Sequence, residues 1–236
     1  EIPDGFFKKE CKFNLPKFKE YAVGMVFLPP KKNQLNHCVE IFEEEIKRQG
    51  LNVLGWREVP VNSKVVGAIA SQSQPNIKQV FIGKNDSNKT EKDFLLKLYI
   101  SRKISENRIY QSKLSQRSFF YFSSLHNKTI IYKGLLIPED IERFYIDLKN
   151  PMLVTRLALV HQRFSTNTFP TWDLAQPFRY MCHNGEINTL KGNINRMVSR
   201  QELMSSELID KKDLEKIFPI ILPGKSDSAS MDMVLE

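Results

Sequence analysis

Two short stretches concentrate the side chains able to do chemistry. The first is His161-Gln162-Arg163-Phe164-Ser165-Thr166-Asn167-Thr168, where an apolar strand expected over about residues 157–162 runs out. The second is His183-Asn184-Gly185-Glu186-Ile187-Asn188, at the end of another strand expected over about 179–183. Polar residues crowded at strand ends suit ligand contact, because the scaffold is rigid and backbone amides there are free. An Arg fork such as Arg163 can clamp a carboxylate with two parallel hydrogen bonds. The Asn184 amide beside the Gly185 backbone N–H can supply two donors to a developing oxyanion. Glycine lets the backbone approach closely without a side chain. Each feature also has a plainer reading: Asn-Gly is a common hairpin turn, and Arg163 could serve a structural ion pair.

Other local signals are weaker. Cys182 and His183 are adjacent, but on one strand they point to opposite faces and cannot share a proton, so Cys182 is expected to be a buried structural thiol. Gly224-Lys225-Ser226 ends like a phosphate loop, yet Pro219 stands where the first glycine is needed. There is no Gly-x-Gly-x-x-Gly and no Gly-x-Ser-x-Gly. The four histidines include no His-x-x-x-His pair and the cysteines no Cys-x-x-Cys, so no metal site is expected.

The elements that must position these stretches follow from periodicity. Tyr21 to Leu28 reads as a strand closed by Pro29-Pro30. Leu35, Cys38, Val39, Phe42 and Ile46 fall at helical spacing, and Gly50 stops that helix. A second strand is expected at 53–59, loop over 62–76, a short strand at 79–82, and a turn at Asn85-Asp86-Ser87-Asn88. A helix resumes from Thr90. Aromatic and β-branched residues at 119–122 and 129–132 predict a hairpin. Pro138-Glu139-Asp140 opens a short helix, and a long one is expected over about 188–208. Mixed helices and hairpin signals favour an α+β fold over a doubly wound sheet. Without repeat or low-complexity linker, one domain is expected.

The 236 residues, 41% hydrophobic and 26% charged, suit a globular chain and exclude disorder as the main state. No apolar run reaches the roughly 18 residues of a spanning helix, so no membrane partner is expected. Three widely spaced cysteines, Cys11, Cys38 and Cys182, point to a reducing compartment. The net charge of +8 raises the question of nucleic acid. Its excess, between Lys78 and Lys133, is diluted and lacks stacking aromatics, which favours a solvated surface and no nucleic-acid partner. There is no initiator Met, and the last residues read as a helix cut in mid-turn; the chain is expected to be a piece of a longer protein.

The stretch 159–195, with His-x-Arg-Phe-Ser-Thr-Asn-Thr and His-Asn-Gly-Glu-Ile-Asn-Thr-Leu-Lys-Gly-Asn-Ile-Asn, closely resembles the glutaminase domain of class II glutamine amidotransferases. Within them it is most similar to the glutamate synthases. Ser226-Asp227-Ser228-Ala229-Ser230 resembles the family's third motif. Tyr21-Ala22-Val23-Gly24-Met25-Val26-Phe27-Leu28-Pro29, Val53-Leu54-Gly55-Trp56-Arg57, Phe119-Phe120-Tyr121-Phe122 and Ile131-Tyr132-Lys133-Gly134 resemble the part that enlarges this domain in the glutamate synthases. The resemblance implies a glutamine amidotransferase type-2 domain over 1–236 with the four-layer αββα sandwich of N-terminal-nucleophile hydrolases, incomplete at both ends. It implies that Arg163 holds the α-carboxylate of glutamine, that Phe164 and Thr166 shape that end of the pocket, and that Asp227 binds the α-ammonium. Asp227 has a plainer role as a helix N-cap. Asn184 and Gly185 would form the oxyanion hole.

In this family an N-terminal Cys attacks, with its own α-amine as base, giving a glutamyl thioester and ammonia before water releases glutamate. Residue 1 here is Glu, and Cys11 is followed by Lys12-Phe13, so Cys11 is expected to be an ordinary buried thiol. The nucleophile and first strands are expected to lie outside this chain, which by itself should be inactive. The resemblance further implies a parent oxidoreductase. There the ammonia passes to a synthase domain of the same polypeptide, which aminates 2-oxoglutarate using FMN and an iron–sulfur cluster. No cofactor is expected in this segment. Electrons would come from a small NAD(P)H-oxidising subunit or ferredoxin, in the cytoplasm or, in a plant or alga, the plastid stroma. The alternatives are another class II amidotransferase, acting on a sugar phosphate, a ribosyl pyrophosphate or aspartate, and a non-catalytic basic binding domain.

Overall fold

A computed structural model describes residues 2–85, 90–162 and 168–236. Four strands, β1 (Tyr21–Leu28), β2 (Asn52–Glu58), β3 (Asn76–Gly83) and β4 (Tyr121–His126), form an antiparallel sheet in the order β2-β3-β1-β4. The helices are α1 (Asp4–Glu10), α2 (Lys32–Arg48), α3 (Ala68–Gln72), α4 (Glu91–Gln111), α5 (Ile141–Phe144), α6 (Leu190–Gln201), α7 (Lys211–Lys216) and α8 (Asp227–Leu235). The mixture of helix and antiparallel sheet is the α+β class expected.

β1 runs through the middle of the sheet, with Tyr21 opposite Gly83 and Leu28 opposite Asn76 on one side and Phe27 opposite Tyr121 on the other. All eight of its residues are buried. The period of two then sorts them. Ala22, Val26 and Leu28 pack with Leu35, Cys38, Phe42 and Ile46 of α2 and Phe94 and Leu98 of α4. Met25 and Phe27 face the opposite way, onto Phe144, Tyr145 and Trp172, while Tyr21 and Val23 meet Phe6 and Phe7 of α1. Gly24 is required by close approach: a Cβ there would come within 2.7 Å of the Val80 side chain.

The punctuation of the helices is local. Thr90 caps α4 by accepting the Asp93 N–H at 3.0 Å. After α2, Gly50 takes φ 70°, the left-handed conformation that ends a helix. The apolar stripe of α2 faces the sheet. α4 differs, because Arg102, Lys103, Glu106 and Asn107 are buried as well. Lys103 Nζ donates to Ile220 O at 2.7 Å, and Asn107 Nδ2 donates to Lys216 O and Phe218 O at 3.0 Å each. With Lys133, these residues correct the expectation that the basic segment is simply a solvated face.

Several further expectations are corrected. No ladder forms at 129–132; instead Ile131 N–H donates to Ser124 Oγ on β4, at 3.2 Å. The loop expected over 62–76 contains a 3-10 turn at Ser63–Val65, helix α3 and the start of β3. The long helix shrinks to α6, because Leu203 and Leu208 find nothing to pack against and stay exposed. Residues 157–162 and 179–183 form no strand among the described residues. Leu157, Leu159 and Val160 are exposed and pair with no strand among the described residues. Along 179–183, side chains take the place of a partner strand: Tyr180 N–H donates to Asp232 Oδ1 at 2.8 Å, and His183 pairs with a glutamine side chain. Of the expected turn, Asp86, Ser87 and Asn88 lie outside the described residues.

Candidate functional site

The second polar stretch is held against the start of α8. Ile187 N–H donates to Asp227 Oδ2 at 2.9 Å, and His183 Nε2 lies 2.8 Å from Ser228 Oγ. Asp227 Oδ1 accepts from Ser228 N at 2.7 Å and from Ser228 Oγ at 3.2 Å. Asp227 and Ser228 are both buried. The cap of α8 is Ser226, whose side chain accepts the Ala229 N–H at 3.1 Å, so Asp227 sits in the first turn and is not the N-cap. These bonds bring Asn184, Gly185 and Asp227 into one assembly of loop and helix start.

Asn184 and Gly185 are exposed at a bend, and neither donates a hydrogen bond to another of the described residues. Positive φ occurs at Lys19, Gly50, Thr189 and Gly224, not at Asn184 or Gly185, and no ladder flanks the pair. A tight Asn-Gly hairpin turn requires positive φ at both residues. That plainer reading is therefore removed, and two donors without an acceptor among the described residues remain side by side.

The backbone of His183 is fixed on both sides. Gln176 Nε2 donates to His183 O at 3.1 Å, and His183 N donates to Gln176 Oε1 at 2.9 Å. His161 Nε2 is 3.2 Å from the same carbonyl, so the residue two before Arg163 touches the second stretch. Arg163, Phe164 and Thr166 themselves lie outside the described residues. Sequence reasoning missed Gln176 and the partnership of Ser228 with His183. The neighbour considered for His183 was Cys182, whereas the ring meets a residue 45 positions away.

Behind Gln176 stands Lys133, buried to 1% exposure. Its Nζ donates to Ala175 O at 2.7 Å, Asp173 O at 2.8 Å and Tyr121 Oη at 3.1 Å, and lies over the Tyr121 and Phe178 rings. Burial pulls its ammonium down to about 7, against the opposing pull of Asp173. A cleft of about 560 Å³ opens near Tyr121, Trp172 and Arg179 but includes none of Asn184, Gly185 and Asp227. Two of its lining cations are paired, Lys225 with Asp173 at 2.5 Å and Arg179 with Glu236 at 3.2 Å.

Two of the thiols are held in their protonated form by burial. Burial pushes Cys11 up to about 11 and Cys38 up to about 12. Cys11 is half-buried at the end of α1, and Cys38 sits in the α2 core. Cys182 is also only partly buried, which corrects the buried thiol expected there. Among the described residues no three His, Cys, Asp or Glu side chains gather as a metal ligand set. No helix among the described residues is long and apolar enough to cross a membrane.

The family described as "Glutamine amidotransferases class-II" matches residues 1–236. "Glutamate synthase [NADPH] large chain" of Bacillus subtilis (strain 168) is 48% identical over 237 residues, covering all of this chain and 15% of that protein. "Glutamate synthase [NADH]" of Saccharomyces cerevisiae is 44% identical over 249 residues, covering all of this chain and 11% of that one. "Ferredoxin-dependent glutamate synthase 1, chloroplastic/mitochondrial" of Arabidopsis thaliana is 42% identical over 215 residues, or 91% of this chain and 13% of that protein. The chain thus spans between 11% and 15% of the length of these relatives.

Proposed function

The chain belongs to the class II glutamine amidotransferases, and from that premise we propose that it is the glutamine-binding part of a glutamate synthase. The observation that carries this reading is the joining of Asn184-Gly185 to Asp227 through Ile187 and through His183 and Ser228. Two donors that meet no acceptor among the described residues and one buried carboxylate then stand in a single frame. Asp227 brings a buried negative charge beside the turn, which a substrate ammonium would match.

In this reading the α-ammonium of glutamine meets Asp227 and its α-carboxylate meets Arg163, with Phe164 and Thr166 walling that end. The side-chain amide carbonyl then points toward Asn184 and Gly185. A cysteine thiolate adds to the amide carbon, and the displaced electron pair becomes an oxyanion held by the Asn184 and Gly185 donors. Collapse expels ammonia as its nitrogen gains a proton and leaves a glutamyl thioester, which water hydrolyses to glutamate. Burial raises Cys11 and Cys38, and none of Cys11, Cys38 and Cys182 is an N-terminal residue, so we assign the attack to a cysteine elsewhere in the natural polypeptide.

Ammonia would pass to a synthase domain of that polypeptide for reductive amination of 2-oxoglutarate. The flavin and iron–sulfur chemistry would reside there, fed by NAD(P)H through a small subunit or by ferredoxin. The relatives' names include NADPH, NADH and ferredoxin, so the electron donor varies among proteins similar over this stretch. We place the enzyme in the cytoplasm or a plastid stroma. In the natural full-length protein, Arg163→Ala should raise KM for glutamine, on the order of 10-fold or more for loss of a charged clamp, and largely spare ammonia-dependent synthesis. Equal losses in both rates would contradict the assignment.

A further inference from the structure

We propose that Gln176 is a positioning residue for the oxyanion turn, holding the His183 backbone so that Asn184 and Gly185 present their donors to the reacting carbonyl. The proposal rests on the amidotransferase reading above. Its physical basis is the way this turn is supported. Residues 183–188 belong to no helix or ladder, and Asn184 and Gly185 are exposed, so nothing in secondary structure sets their orientation. The Gln176 side chain supplies what a neighbouring strand would, accepting from His183 N at 2.9 Å and donating to His183 O at 3.1 Å. A paired donor and acceptor on one residue fix both the position and the rotation of its peptide planes. Displacement of a catalytic donor by about 1 Å can lower a rate on the order of 10²-fold.

Gln176 is itself well placed to transmit rigidity. It is buried, and the carbonyls of Asp173 and Ala175, just before it, both accept from Lys133 Nζ, at 2.8 and 2.7 Å. Lys133 is fixed in turn to the Tyr121 hydroxyl of β4 at 3.1 Å, and its own carbonyl accepts from the Tyr145 hydroxyl at 2.7 Å. A continuous series of short contacts thus runs from the sheet through Lys133 and Gln176 to the peptide beside Asn184.

The test uses the natural full-length polypeptide with Gln176→Leu, which keeps much of the volume and removes both bonds. The kcat for glutamine hydrolysis should fall about 10- to 100-fold, with KM for glutamine within about twofold and the ammonia-dependent rate unchanged. In an Asn184→Ala background the same change should cost far less than the product of the two single effects, because one of the positioned donors is already gone. Amide hydrogen exchange over 182–187 should rise in Gln176→Leu. Should that variant fail to fold, Gln176→Glu keeps the length and the acceptor, loses the donor to His183 O, and should again lower kcat alone. Unchanged kcat, an equal fall in the ammonia-dependent rate, full multiplicativity with Asn184→Ala, or unaltered exchange over 182–187 would each overturn the role. A wild-type protein that hydrolyses no glutamine, with exchange still raised by Gln176→Leu, would sink the amidotransferase reading and leave only a structural brace.

Discussion

Strand β1 has eight buried residues and a paired neighbour on each edge, whereas the stretch from Trp172 to Ile187 has no ladder at all. In the first region the backbone satisfies itself, and apolar side chains are left free to pack as Phe42 does against Phe122, with ring centroids 4.7 Å apart. In the second, polar side chains satisfy the backbone: Gln176 on His183, Asp227 on Ile187, Asp232 on Tyr180 and Lys133 on Asp173 and Ala175. A ladder repeats one geometry along its length, while side-chain contacts can hold an irregular turn in a single orientation. That is the requirement of an oxyanion turn, whose donors must face outward and stay unpaired. The sheet and the second region are joined through buried cations: Arg179 Nη1 donates to Phe122 O of β4 at 3.0 Å, and Lys133 Nζ bridges the Tyr121 hydroxyl to Asp173 O and Ala175 O.

The contrast can be broken at its strongest point first. Phe42→Ala should lower stability by about 3–5 kcal/mol, seen as a matching loss of opening free energy for β1 amides by hydrogen exchange. Protein that remains folded should keep its KM for glutamine; a selective rise in KM would mean that the core and the site are not separable in this way. Asp227→Asn acts in the other region. It preserves an oxygen for the Ile187 N–H and removes the charge, so KM for glutamine should rise on the order of 10- to 100-fold, the range for a charge-assisted hydrogen bond. A normal KM would remove Asp227 from the α-ammonium site.

A smaller effect sharpens the link between the regions. Lys133 is held down to about 7 when folded, against an ordinary value near 10.4. Between those two values the unfolded chain binds more protons than the folded one, so stability should rise with pH across that window, by up to about 1.4 kcal/mol per pH unit. Lys133→Met removes the titration. The stability of the natural protein relative to this variant, compared at each pH by hydrogen exchange of β4 amides, should therefore climb from pH 7 to 9. A constant difference would show that the ammonium keeps its ordinary value in the fold.

What the sequence made legible follows the same division. β1, α2 with its Gly50 stop, β2, β3 and the Thr90 start of α4 could all be read, because each depends on periodicity and on neighbours within a few residues. The four-layer sandwich was an expectation of resemblance; the described residues contribute one sheet, with α2 and α4 on one face. Residues 157–162 and 179–183 have the composition of strands, but a strand exists only where a distant edge pairs with it, and composition does not report the partner. The polar strings marked Asn184, Gly185 and Asp227 from residue type and resemblance. Gln176 carried no local signal, since its meaning lies in the peptide seven residues on. Arg102, Lys103 and Lys133 were read as surface charge because a lone lysine or arginine in sequence shows no acceptors, whereas Lys133 has three in the fold.

The central claim is that Asn184 and Gly185, presented by this side-chain frame, stabilise the oxyanion formed from glutamine. The most direct test is the glutamine and ammonia kinetics of Asn184→Ala in the natural full-length protein. The account predicts a fall in kcat for glutamine on the order of 10²-fold or more, with KM little altered and the ammonia-dependent rate retained. A change confined to KM, or an equal loss of both rates, would contradict it.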